Sequence, residues 1–136
     1  MSALVRFLYP LAPTERSPGA VLRWWERPRV VYNVAVGAAG LTSLAVATLF
    51  GVLPPGGQLF RFPLIGIAVY GLLANLCYCG GWAIEMTLNR LWGEKVAPVG
   101  PVLFRQGLIF SVGLSLLPIL VAGLGWIARV FFALIH

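Results

Sequence analysis

The chain has 136 residues, of which 60% are hydrophobic and only 10% charged, with a formal net charge of +6 and a mean hydropathy of +0.90. A domain this short cannot hide so much apolar surface from water, which excludes an ordinary soluble globular fold. Lipid can supply the missing burial, since about 20 apolar residues in a helix cross a hydrocarbon layer roughly 30 Å thick.

Residues 1 to 19 hold Pro10, Pro13 and Pro18, a pattern that predicts an irregular surface segment. Its apolar pieces are interrupted by Arg6 and Pro10, so it does not read as a cleavable secretory leader. Ser17 followed by Pro18 is a helix start. A short interfacial helix is expected over 18 to 27, where Val21, Leu22, Trp24 and Trp25 alternate with Arg23, Glu26 and Arg27 in a mixture suited to lipid head groups. Pro28 is expected to end it. The chain thus divides into a juxtamembrane segment, 1–29, and a single transmembrane helical domain, 30–136.

Three runs lack Asp, Glu, Lys, Arg and His altogether: 30–60, 62–84 and 106–128. The first predicts a span over about 30–53, stopped by Pro54, Pro55, Gly56 and Gly57. The second predicts a span over 62–84 whose helical pattern continues to 92 and stops at Gly93. The third, after a turn with Pro98, Gly100 and Pro101, predicts a span over 103–127 between Arg105 and Arg129, kinked at Pro118. Dividing it at Gly123 to Gly125 would leave about 20 and about 11 residues, and the second piece falls short of the roughly 17 a crossing requires. Residues 130–135 are then a short apolar tail. The expected fold is an all-α integral membrane protein with three transmembrane helices and a short N-terminal interfacial helix.

Basic residues set the expected orientation. Arg6, Arg16, Arg23, Arg27, Arg29, Arg90, Lys95 and Arg105 fall on one side, and Arg61 and Arg129 on the other, so the N-terminus is expected in the cytoplasm and the C-terminus outside. Five of the ten basic residues precede position 30, which makes anionic lipid head groups, not nucleic acid, the expected partner of that segment. Cys77 and Cys79, two apart in a helix, point to nearly opposite faces and are read as small packing residues. The single histidine is His136. No metal or cofactor is expected.

Two faces stand out. In the first span, Ala35, Ala39, Ser43, Ala47 and Gly51 recur every four residues, and Gly107, Ser111 and Ser115 form a shorter counterpart in the third. Small stripes let helix backbones approach closely in lipid, either within one protomer, the preferred reading, or across an oligomer seam. In the second helix, Gly71, Asn75, Tyr78, Trp82, Glu85, Asn89 and Trp92 alternate at steps of four and three. This polar face is expected to meet Tyr32 and Asn33 of the first span and Arg105 and Gln106 of the third. A carboxylate at that depth needs a partner or water, so Glu85 is expected to pair with Arg105 or Arg29 as an interfacial lock; the alternative is a proton or cation site. Asn75 is read as interhelical glue before substrate contact, and Tyr78 and Trp82 as packing before a binding box.

Trp24-Trp25-Glu26, Tyr32-Asn33, Ala74-Asn75, Tyr78, Gly81-Trp82 and Glu85 resemble a group of short bacterial membrane proteins with a Trp-Trp-Glu juxtamembrane element, across about residues 22–90. That resemblance implies a bacterial inner-membrane protein of about three helices and carries no activity. Ser43, Ser111 and Ser115 have no histidine or acid in their spans to activate them. The function expected is therefore non-enzymatic, a self-associating or accessory subunit of a membrane complex, with an oligomeric minimal transporter or pore as the alternative.

Overall fold

The computed structural model describes residues 17–57, 64–95 and 97–135. Residues 1–16 of the expected irregular segment 1–19, Arg61 and His136 lie outside the described residues; the end of that segment, Pro18 and Gly19, is already helical. Three helices, α1 (Pro18–Val52), α2 (Leu64–Trp92) and α3 (Gly100–Ile135), account for nearly all of what is described, with one 3-10 turn at Gly93–Lys95. Each is long and apolar enough to cross a membrane, so the all-helical, three-span architecture holds.

α1 starts where the sequence says it should. Ser17 is the N-cap, its hydroxyl accepting from the Ala20 N–H at 3.3 Å, with Pro18 in the first turn. The expected break at Pro28 is absent, and the interfacial helix 18–27 is instead the first part of one 35-residue helix. Burial explains the continuity. Val21, Trp25, Pro28, Tyr32, Val36, Ala39 and Ser43 are all buried, at steps of three or four that pass straight through the proline. A proline inside a helix costs about 3 kcal/mol, and packing two tryptophans on the same seam offsets a cost of that order. The helix ends at Leu53, whose N–H still bonds the Leu49 carbonyl, and Gly56 turns the chain at φ 64°.

α2 stops at Trp92, before Gly93 at φ 57°, a left-handed position that favours glycine. α3 runs two turns past the expected end at 127 and unbroken through Pro118 and Gly123 to Gly125. Nothing in 128–135 stops a helix: the stretch has no proline or glycine, and Arg129 bonds carbonyls at the end of α1 without a helix end being made at it.

The start of α3 lies beside the start of α1, and Trp126 and Arg129 of α3 lie beside the last turn of α1. α1 and α3 are therefore parallel and share the most extensive contact, with α2 antiparallel against both. The core sits at the end where α1 begins: Val21, Trp24, Trp25, Tyr32, Val36, Tyr78 and Phe104. Leu, Ile, Val and Phe side chains elsewhere face outward along all three helices, the inverse of a soluble bundle and the arrangement lipid permits.

Candidate functional site

Glu85 is 1% exposed. It sits one helical repeat, seven residues, after Tyr78 in α2 and points at the junction of the other two helices. The Trp25 indole Nε1–H donates to its Oε2 at 2.6 Å, and the Gly100 N–H donates to its Oε1 at 3.2 Å. Gly100 is the first residue of α3, so its N–H has no partner inside the helix and stands at the positive end of the helix dipole. The Glu85 carboxyl group therefore caps α3 and satisfies an N–H that the helix itself leaves open.

The expected pairing with Arg105 or Arg29 is thus overturned. Arg105 is exposed, and five residues beyond Gly100 it lies about 140° around α3 from the capped N–H. Arg29 pairs with Glu26 at 2.9 Å and places its guanidinium carbon 5.4 Å from the centre of the Tyr78 ring. That exposed ion pair contributes little by itself.

The pocket around the carboxylate is built from rings and two glycines. Trp25 makes edge-on contacts with Trp24, Tyr78 and Phe104, at centroid distances of 5.3, 5.4 and 6.4 Å, and the Tyr78 hydroxyl donates to the Trp25 carbonyl. A Cβ on Gly81 would lie 2.5 Å from Cη2 of Trp25, and one on Gly100 would lie 2.7 Å from Oε2 of Glu85. Only glycine admits the indole and the carboxylate this closely.

Two tyrosines extend the polar contacts towards the bundle centre, each tying all three helices together. Tyr32 of α1 donates its hydroxyl proton to the Ala74 carbonyl of α2 at 3.0 Å and pairs with the Ser111 hydroxyl of α3 at 2.8 Å. Tyr70 of α2 reaches the Val36 carbonyl of α1 at 3.4 Å and the Ser115 hydroxyl of α3. Gly40 makes room for it, since a Cβ there would meet Tyr70 Cε1 at 3.3 Å. Such interhelical bonds contribute about 0.6 to 2 kcal/mol in lipid. Tyr32→Phe is expected to lower the stability of the detergent-solubilised protein by about 1 kcal/mol, read from thermal unfolding; an unchanged transition would mean the hydroxyl is not structural.

At the opposite end Arg129 donates to the carbonyls of Phe50, Gly51 and Gly56, the last two at 3.3 and 3.4 Å, and the Trp126 indole donates to the Pro54 carbonyl at 3.0 Å. Here a cation closes a helix C-terminus, the electrostatic mirror of Glu85 at the α3 N-terminus.

Of the residues expected to form the polar face, the structure brings Tyr78 and Glu85 together and leaves Trp82 half-buried beside them. Asn33, Arg105 and Gln106 are exposed and take no part. Asn75 is exposed as well, and its amide donates to the Gly71 carbonyl one turn back in its own helix, at 3.0 Å; it does not bridge helices within the chain. In the small-residue stripe, Ala39 and Ser43 are buried and Ala35, Ala47 and Gly51 half-buried, so the stripe packs within the protomer. Ser43 is 3% exposed and its hydroxyl has no hydrogen-bond partner among the described residues.

Trp25, Tyr70, Gly100 and Arg129 carry contacts that the sequence reading did not assign to them. Tyr70 stands eight residues before Tyr78, about 80° round α2 and on the opposite side from Asn75, so the four-and-three spacing gives no signal for it. No family model matches the chain, and neither a curated protein nor a solved structure does.

Proposed function

We propose that this is a non-enzymatic component of a membrane assembly that associates with a second copy of itself, or docks beside a larger membrane protein, through the outer face of α2. Asn75 carries this reading. Its side chain is exposed near the middle of the apolar run 62–84, its NH2 group bonds only its own helix, and among the described residues its carbonyl oxygen accepts nothing. An amide half-satisfied in hydrocarbon gains by meeting a second helix. The groups that a catalytic or transport reading would recruit, Glu85 and the tyrosine hydroxyls, are occupied in fastening one helix to another. In a bacterial inner membrane, the basic N-terminal segment would hold the cytoplasmic leaflet through anionic head groups, with the C-terminus outside.

The test is the association constant of purified protein in detergent micelles. Asn75→Leu is expected to weaken self-association by about 1 kcal/mol, roughly fivefold in dissociation constant, without changing the unfolding transition of the protomer. Association indifferent to Asn75→Leu, or a monomer at every concentration and no co-purifying membrane protein, would remove this reading. Ion or dye flux from liposomes holding the protein would replace it with a pore.

A further inference from the structure

A cleft of about 780 Å³ opens between α1 and α3 at the end opposite Glu85, with walls that include Ala47, Gly51, Leu117, Val121 and Gly125, and with Arg129 at its polar end. Along α3 it extends from Leu114 to Arg129, about 22 Å at 1.5 Å per residue. One leaflet of a bilayer core is about 15 Å deep, so the cleft matches an acyl chain with room for the head group.

The polar end is specific. Nη1 of Arg129 bonds two carbonyls and Nη2 bonds one. Nε bonds nothing among the described residues, which leaves the edge of the guanidinium that it shares with Nη2 the less occupied one. That edge is the one that holds phosphate oxygens in a bidentate grip. The charge of the surroundings narrows the choice further. The acids of the sequence are Glu15, Glu26, Glu85 and Glu94, so no carboxylate occurs in α1 beyond Arg29, in α2 before Glu85, or anywhere in α3. A lipid whose head group carries its own ammonium would find no acidic side chain among the described residues of this end, whereas a net negative head group meets Arg129.

We infer that the α1/α3 cleft is a binding site for one anionic phospholipid, its acyl chain lying along Ala47, Gly51, Leu117, Val121 and Gly125 and its phosphate held on the open edge of Arg129. Trp126, tied to the Pro54 carbonyl, marks the level at which apolar and polar parts of the lipid meet.

Native mass spectrometry of the full chain released from nanodiscs containing phosphatidylglycerol and phosphatidylcholine in equal amounts tests this site. One phosphatidylglycerol per protomer is expected to survive release. Arg129→Gln is expected to weaken its retention by about tenfold, the loss of a charge-assisted bond to phosphate. Because Arg129 also closes the end of α1, Gly125→Leu provides a second variant: a Cβ there meets nothing within 4 Å, so the larger side chain fills the cleft without disturbing the helices and is expected to expel the lipid. Equal retention of the two lipids, or phosphatidylglycerol held as tightly by Gly125→Leu as by the parent, would overturn the proposal. So would a dimer abolished by Gly125→Leu whatever the lipid, because the cleft would then belong to a second copy.

Discussion

Glu85→Ala is expected to lower the stability of the solubilised protein by about 3 to 5 kcal/mol. The change removes the acceptor for two buried donors, the Trp25 indole and the Gly100 N–H, and each orphaned group costs about 1 to 3 kcal/mol. The bond from Gly100 is also the cap of α3, so the loss of the cap is already contained in that range. Glu85→Gln keeps one acceptor oxygen but turns an amide N–H towards a donor, so its expected cost is intermediate, about 2 kcal/mol. Thermal unfolding followed by circular dichroism gives the stabilities. Tryptophan emission is a second readout, because the indole of Trp25, one of five tryptophans, loses its Glu85 carboxyl acceptor and should shift the spectrum in both variants. If Glu85→Ala unfolds at the parent temperature, Glu85 is not the fastening that joins α2 to the start of the other two helices.

The second large effect is steric. Gly81→Ala places a methyl group 2.5 Å from Cη2 and 2.9 Å from Cζ3 of Trp25. The indole cannot move aside freely, held as it is by Glu85 through Nε1 and by Tyr78 and Phe104 at its edges. Overpacking of this sort costs about 1 to 3 kcal/mol, and a ring fixed at several points belongs at the upper end. The cause can be isolated with Trp25→Phe, which deletes the outer ring atoms that the new methyl group would strike. In that background Gly81→Ala should cost almost nothing, and the coupling between the two substitutions should exceed about 1.5 kcal/mol. Additive effects would place the strain of Gly81→Ala somewhere other than the indole.

The fold was legible in the sequence to the extent that lipid wrote it there. Charge-free runs longer than a bilayer is thick leave little choice of element, and Ser17 with Pro18 marks a helix start through purely local chemistry. The break expected at Pro28 failed because a proline reveals its local cost and not the packing that offsets it; the buried register through Trp25, Pro28 and Tyr32 exists only when α2 and α3 are in place. Arg129 does not end α3 for a related reason, since a charge in an apolar helix can be accommodated by the open carbonyls of a neighbour. Within the candidate site, the four-and-three spacing in α2 correctly put Tyr78 and Glu85 on one side. It could not supply Glu85's partner, because that partner includes a backbone N–H at a helix start and backbone groups leave no trace in side-chain patterns. Asn75, on the same rough face, lies far enough round α2 to miss the other helices.

The bonds of Arg129, Trp126, Ser111 and Ser115 all involve α3, the third of the described helices in chain order. Without it, a hairpin of α1 and α2 can already bring Trp25 to Glu85, but the carbonyls of Phe50 and Gly51 have no cation and the Tyr32 and Tyr70 hydroxyls lack their serines. The two tyrosine hydroxyls keep their carbonyl partners, Ala74 and Val36, within the hairpin, so what α3 adds is a second partner for each tyrosine and the cation that closes the end of α1.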